Sequence, residues 1–241
     1  MMSEGVSGLK AFFFHSRKMK VFSVWFFFIA FLLIVNILGE SDYDRAVAGS
    51  AFVCGGSTVI FWNYRKKISQ SIKGRWSPRK TFVLVGGLGA VWAEVIFWFF
   101  EKVFGTTGVA ASPHLGVDLL ITMPWYILML FLLFTVETRY NYSLTEILLL
   151  GGIYELGADG ILGQMLEGAG IGLIYVFGVI PLFVMVYSVI VLPPSYIMQK
   201  EIADIRKTRS QKPHKIYGLL PLAGLIPFTV YVIVLLSLFG G

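Results

Sequence analysis

Apolar residues run along this chain in blocks of about twenty, and the polar residues between the blocks fall in short, mostly basic connections. Around twenty consecutive apolar residues are what an α-helix needs to cross the ~30 Å hydrocarbon core of a bilayer. The blocks lie at 21–39, 46–62, 81–104, 117–136, 143–162, 173–192 and 216–239. The pattern predicts an all-α, polytopic integral membrane protein, a bundle of about seven transmembrane helices forming one membrane domain over residues 21–241. Residues 1–20 form a separate lead-in, where Leu9 and Phe12 to Phe14 alternate with Lys10, Arg17, Lys18 and Lys20. That composition suits an interfacial helix resting on an anionic leaflet, or a charged approach to the first span.

Several local features refine the blocks. The first is longer than the apolar core of a signal peptide, so it is read as a retained span. Small residues from Gly49 to Gly56 and from Gly86 to Ala90 offer faces for close helix contact, either within the bundle or against a partner subunit. Gly163 to Gly172 is too rich in glycine for a regular helix and is read as an external loop, with a re-entrant loop as the alternative. The sixth span is expected to close at Pro193-Pro194, and Tyr196 to Lys215 reads as a basic, partly amphipathic connection through Ile197, Ile202 and Ile205. Val59 to Trp62 and Val95 to Trp98 share four letters, but the match ends there and marks no repeat.

Composition agrees with a membrane protein. Of 241 residues 56% are hydrophobic and only 14% charged, against about 25% charged in soluble domains; mean hydropathy is +0.76. The net charge of +6 would suggest nucleic acid in a soluble chain. Here eighteen of the twenty Lys and Arg residues fall on one side of the seven-span topology, and only Arg45 and Lys102 on the other. The positive-inside rule then puts the N-terminus in the cytoplasm and the C-terminus outside, with the bilayer and its anionic inner leaflet as partners and no nucleic acid. The expected location is the cell membrane. Cys54 is the only cysteine, which excludes an intrachain disulfide or thiolate cage, and His15, His114 and His214 are scattered. No cofactor is indicated, and the last span has no mid-membrane lysine to carry retinal.

Carboxylates inside apolar blocks carry the functional signal. Leu144 to Gly172 is the stretch around which the chain is expected to be organised, because Glu146, Glu155, Asp159 and Glu167 interrupt it among many glycines. An ionisable group at membrane depth costs at least ~2.5 kcal/mol and usually faces a bundle interior or wet cavity. Glu155 and Asp159, spaced i, i+4, share a helical face about 6 Å apart along the axis. Glu94 falls at a similar depth in the third span and Asp118 near the outer mouth of the fourth, where a helix-capping or first-turn role and greater exposure are expected. Glu137 and Glu146 belong to the inner interface, where snorkelling makes them cheap.

Acids without a basic partner call for protons or a cation. If Glu94, Asp118, Glu155 and Asp159 converge, their oxygens would suit a hard cation such as sodium, magnesium, calcium or manganese. Three functions follow. The favoured one is membrane transport of a cation, or of a proton-coupled small solute, through an acidic cavity in the outer half of the bilayer, with Gly151, Gly152 and Gly157 letting the fifth span bend. The second is an intramembrane enzyme that works on a lipid or isoprenoid by carboxylic-acid general acid–base chemistry, with Glu94, Glu155 and Asp159 catalytic and indole faces at Trp92 and Trp98. The third is an accessory subunit, in which these acids only accept hydrogen bonds from Tyr126, Trp125 or Tyr154.

Overall fold

The computed structural model describes residues 19–38, 41–72, 74–164, 179–209 and 215–239. The interfacial N-terminal segment, the re-entrant or external loop beyond Gln164, and His15 and His214 lie outside these residues. Within them every regular element is helical. In chain order they are α1 (Met19–Leu38), α2 (Asp42–Ile72), α3 (Pro78–Phe104), α4 (Leu115–Glu137), α5 (Leu144–Ala158), α6 (Ile161–Gln164), α7 (Ile180–Ile197), α8 (Gln199–Lys207), a 3-10 helix (Lys215–Gly224) and α9 (Leu225–Phe239). Five stretches are long and apolar enough to cross a membrane: α2, α3, α4, α7 and the run Lys215–Leu235. α5, with fifteen residues, spans about 22 Å at 1.5 Å per residue.

The bundle is organised around α7 rather than around 144–172. Fifteen of its eighteen residues are buried, and α1, α2, α3 and α5 all pack against it. Close approach to α7 needs small residues on its neighbours, and this is where the glycines go. A Cβ on Gly89 would stand 2.3 Å from the Val189 carbonyl oxygen, one on Gly152 2.3 Å from Val184 Cγ2, and one on Gly151 2.8 Å from Val191 Cγ2. Gly49 is similarly filled by Phe100, and Gly55 by Phe26. Gly49, Gly55, Gly86 and Gly89 of these small-residue faces are therefore used inside the chain, whereas Gly56 has no atom within 4 Å of its Cβ position. Gly151 and Gly152 lie within the continuous helix α5, where their missing side chains admit α7 closely.

α7 also runs through Pro193-Pro194 instead of closing there. Proline lacks an N–H, so the carbonyls four residues back, those of Val189 and Ile190, lose their helical donors. Gly89 and Gly86 of α3 face those same two oxygens, a Cβ on Gly86 falling 3.1 Å from the Ile190 oxygen. Cα–H groups of two glycines thus cover the carbonyls that the proline pair uncovers. The rest of the turn is held by Met198 N–H donating to the Pro194 carbonyl.

The 3-10 helix repeats this logic. Ten residues of 3-10 geometry are unusual, because its hydrogen bonds are poorer than those of an α-helix. Pro221 cannot donate to the carbonyl three residues back, Gly218, and Tyr154 of α5 supplies the bond from its hydroxyl at 2.5 Å. Tyr154 is fully buried, and Gly218 lets the two chains meet, since a Cβ there would strike Leu150. Tyr154→Phe should therefore cost about 1–3 kcal/mol, the penalty of an orphaned buried acceptor, and lower the melting temperature in detergent. Tyr142→Phe, whose bond to the Lys215 carbonyl is exposed, is expected to change it little; equal melting of the two variants would remove this role from Tyr154.

At the basic end α8 folds back on the α4–α5 turn. Arg206 donates from Nε and Nη2 to the Glu137 carbonyl oxygen at 3.0 and 2.8 Å, and from Nη1 to Asn141 Oδ1 at 2.6 Å. Ile202 is buried beneath it, as the amphipathic pattern expects. Glu137 does not snorkel: it is 5% exposed, and Oε1 accepts the Ser195 hydroxyl at 2.6 Å. Glu146 closes a capping box with Ser143 at the start of α5 and pairs with Lys215.

Candidate functional site

The start of α2, the end of α3, the start of α4, the end of α5 and the start of α7 meet at the opposite end of the bundle from the Lys and Arg clusters. These five helices therefore alternate in direction. Between them is a cavity of about 450 Å³, the size of sites that hold small organic molecules. Glu94, Glu155 and Asp159 line it together with Asp44, and so do Phe97, Phe183, Tyr43 and Tyr126. Among the described residues no Lys, Arg or His contributes to its wall.

Each acid reaches the cavity for a local reason. Glu94 is on the face of α3 that turns inward, is 8% exposed, and accepts the Tyr126 hydroxyl on Oε1 at 2.5 Å. Tyr126 stands beside Tyr187, ring centroids 5.7 Å apart, and the Tyr187 hydroxyl accepts Trp125 Nε1–H at 3.0 Å. Glu155 is in the last turn of α5, and among the described residues no group donates to its carboxylate. Asp159 ends that helix, its N–H bonded to the Glu155 carbonyl at 2.9 Å, and it is exposed at the rim. The i, i+4 pair thus shares the cavity, one acid inside and one at its edge.

Asp118 departs from the expectation of greater exposure. It is in the first turn of α4 but fully buried. Its Oδ1 accepts the Ser112 N–H at 3.2 Å, while Oδ2 is enclosed without a donor. Its carboxyl group lies next to that of Glu94 across the α3–α4 contact. Two carboxyl groups can bond only with one proton between them. The acids of α3 and α4 are therefore a pair backing the cavity wall.

Glu101 belongs to the same outer region, although no expectation was attached to it in the sequence. It is 2% exposed, and its Oε2 accepts the N–H groups of Val109 and Ala110, each at 3.0 Å. With Trp98 Nε1–H donating to the Pro113 carbonyl at 3.0 Å, it pins the loop between α3 and α4, part of which forms the cavity rim. That loop starts at Gly105, whose φ of 64° closes α3 in the left-handed conformation that glycine favours. The signal was present, since Glu101 follows Glu94 by seven residues and shares its helical face. Of the other expected donors, Trp125 serves Tyr187 and Tyr154 serves Gly218, and neither meets an acid in the cavity.

Among the described residues no three acidic, histidine or cysteine side chains stand close enough to hold one metal ion. Glu94, Glu155 and Asp159 share a wall, and Asp118 lies behind it, but they do not form an ion cage as they stand. Comparison of the chain with protein-family models, with curated proteins and with solved structures finds no match.

Proposed function

We propose that this is a seven-span cell-membrane protein with a cytoplasmic N-terminus, whose acidic cavity opens to the outside, binds a small organic cation or an organic solute together with a proton, and carries it across the bilayer. α1 and α5 supply the two crossings beyond the five long apolar stretches, and the basic end of the bundle takes the cytoplasmic side by the positive-inside rule. The observation that carries the reading is a cavity of about 450 Å³ lined by Glu94, Glu155 and Asp159 with no basic residue in its wall. Its volume far exceeds what a bare ion needs, and Phe97, Phe183 and Tyr126 offer ring faces that attract organic cations. Beyond it, towards the basic end, Val189, Ile190, Val191 and Leu192 of α7 are all fully buried, which supports access from one side.

The test is ligand-dependent melting of the full chain in nanodiscs. Tetraethylammonium and ethanolamine are expected to raise the melting temperature by mass action, whereas sodium, potassium, magnesium, calcium and manganese chlorides at equal ionic strength are not. Equal shifts with every salt, or none with any, would end this reading. Proteoliposomes loaded with a pH-sensitive dye then show whether an inward gradient of the binding probe moves protons.

The second reading, an enzyme that protonates a lipid or isoprenoid, is favoured by one observation: the Glu94 carboxyl is held by Tyr126 and Asp118 in a cavity walled by Phe97 and Phe183. A solvent-exchangeable carboxyl proton would add to one carbon of a double bond, and the carbocation would lose a proton from a neighbouring carbon to a carboxylate, leaving a shifted double bond. Purified protein reconstituted with isoprenoid lipids in heavy water would then place deuterium on an isoprenoid carbon, and Glu94→Gln would abolish the label.

A further inference from the structure

We infer that Asp118 is the positioning residue of this cavity, holding the Glu94 carboxyl in place and tying it to the outer loop, so that occupancy of Glu94 and order of that loop change together. The inference rests on reading the cavity as a binding site, and it adds the residue through which binding is transmitted. Asp118 has no exposure, and the backbone of both Ala111 and Ser112 approaches it from the loop. One oxygen takes the Ser112 N–H from the loop at 3.2 Å, and the side chain meets Glu94 across the α3–α4 contact. Its other oxygen is enclosed with no N–H or O–H donor, and an acid in that position is costly unless a partner carries a proton to it.

Other bonds hold the rest of the loop. Glu101 takes Val109 and Ala110, Trp98 takes Pro113, and the Ser112 hydroxyl accepts the His114 N–H at 3.3 Å. Ser112 is buried, so releasing its N–H from Asp118 would leave a donor without a partner. Gly108, Val109 and Ala111 of the same loop line the cavity. A ligand that bonds Glu94 and draws it from Asp118, or one that leaves the pair intact, therefore sets whether the rim stays down.

Amide hydrogen exchange of the full chain in nanodiscs, without ligand, tests the coupling. Glu94→Ala removes the partner of Asp118 and is expected to speed exchange over residues 109–112 about tenfold or more, the population change that loss of one charge-assisted hydrogen bond produces. Glu94→Gln, whose amide can donate to Asp118, should restore slow exchange. Glu137→Gln, a buried acid at the other end of the bundle, controls for general loosening and should leave the loop as in the wild type. Wild-type exchange over 109–112 in Glu94→Ala would overturn the inference, and so would equal acceleration in Glu94→Gln. If Glu94→Ala loosens the whole bundle, the Glu94→Gln and Asp118→Asn pair decides: slow exchange in both supports the tie, and fast exchange in either refutes it. Failure of the melting assay would strike the proposed occupant and leave this result standing, while unchanged exchange would strike Asp118 and leave the occupant untouched.

Discussion

Gly89→Ala is expected to lower the melting temperature of the protein by several degrees, although alanine is the better helix former by roughly 1 kcal/mol. The added methyl would stand 2.3 Å from the Val189 carbonyl oxygen, 3.1 Å from its carbon and 3.2 Å from Ile190 Cα. All three are backbone atoms, so no side chain can turn aside, and α3 and α7 have to separate. Overpacking typically costs ~1–3 kcal/mol, and here separation also uncovers the two carbonyls freed by Pro193 and Pro194, each an unpaired acceptor in an apolar interior. Gly87→Ala on the same helix is the internal control. The nearest atom to its Cβ is Met123 Cε at 3.9 Å, so that change should be neutral or mildly stabilising. Thermal unfolding of both variants in one detergent measures the difference. Equal melting would mean that the Pro-Pro turn does not depend on the glycine face of α3.

That dependence explains much of what was hidden in the sequence. Blocks of about twenty apolar residues made the crossings legible, and α2, α3 and α4 begin and end close to their expected bounds, with α2 running ten residues further into the basic connection. The hub was not legible, because uniform hydrophobicity does not separate a helix that faces lipid from one that is enclosed. α7 carried a subtler signal in Tyr187, Ser188, Ser195 and Tyr196, hydroxyls that lipid would not satisfy. All four find partners within the bundle, Ser188 bonding Thr58 at 2.8 Å and Tyr196 the Thr58 carbonyl at 3.3 Å. Pro193-Pro194 suggested a helix end, since local propensity cannot know that a neighbouring helix brings glycines to the bared carbonyls.

The site was legible in its chemistry and partly in its members. Spacing alone placed Glu155 and Asp159 on one face, and depth alone matched Glu94 to them. Asp118 was misjudged because position in a first turn suggests exposure, whereas the loop before it folds over and buries it. Glu101 follows Glu94 by seven residues and shares its helical face, but its neighbour Lys102 gives no hint of the loop it holds. The two pair at 3.8 Å, but the carboxylate's work is on the loop amides.

Glu155→Gln is expected to abolish probe-dependent stabilisation and any probe-driven proton flux while leaving the fold intact. The acids of the cavity are not equivalent. Glu94 is engaged by Tyr126 and backed by Asp118, and Asp159 is at the open rim, where water screens it. Asp44 is exposed like Asp159, whereas Glu155 is further inside with no donor among the described residues, so its carboxylate has unspent capacity to meet a cation or take a proton. Removing one partner of an enclosed charge pair costs about 2–5 kcal/mol, or roughly thirtyfold in affinity at the least. Asp159→Asn should lose far less. Because Glu155 bonds nothing in the described protein and has acids for neighbours, its neutral replacement relieves like-charge repulsion, and the unliganded variant should melt no lower than the wild type. Weakened binding with unchanged or higher melting would assign Glu155 to the ligand. Lower melting with unchanged binding would make it a structural acid and move the proposed contact to Glu94.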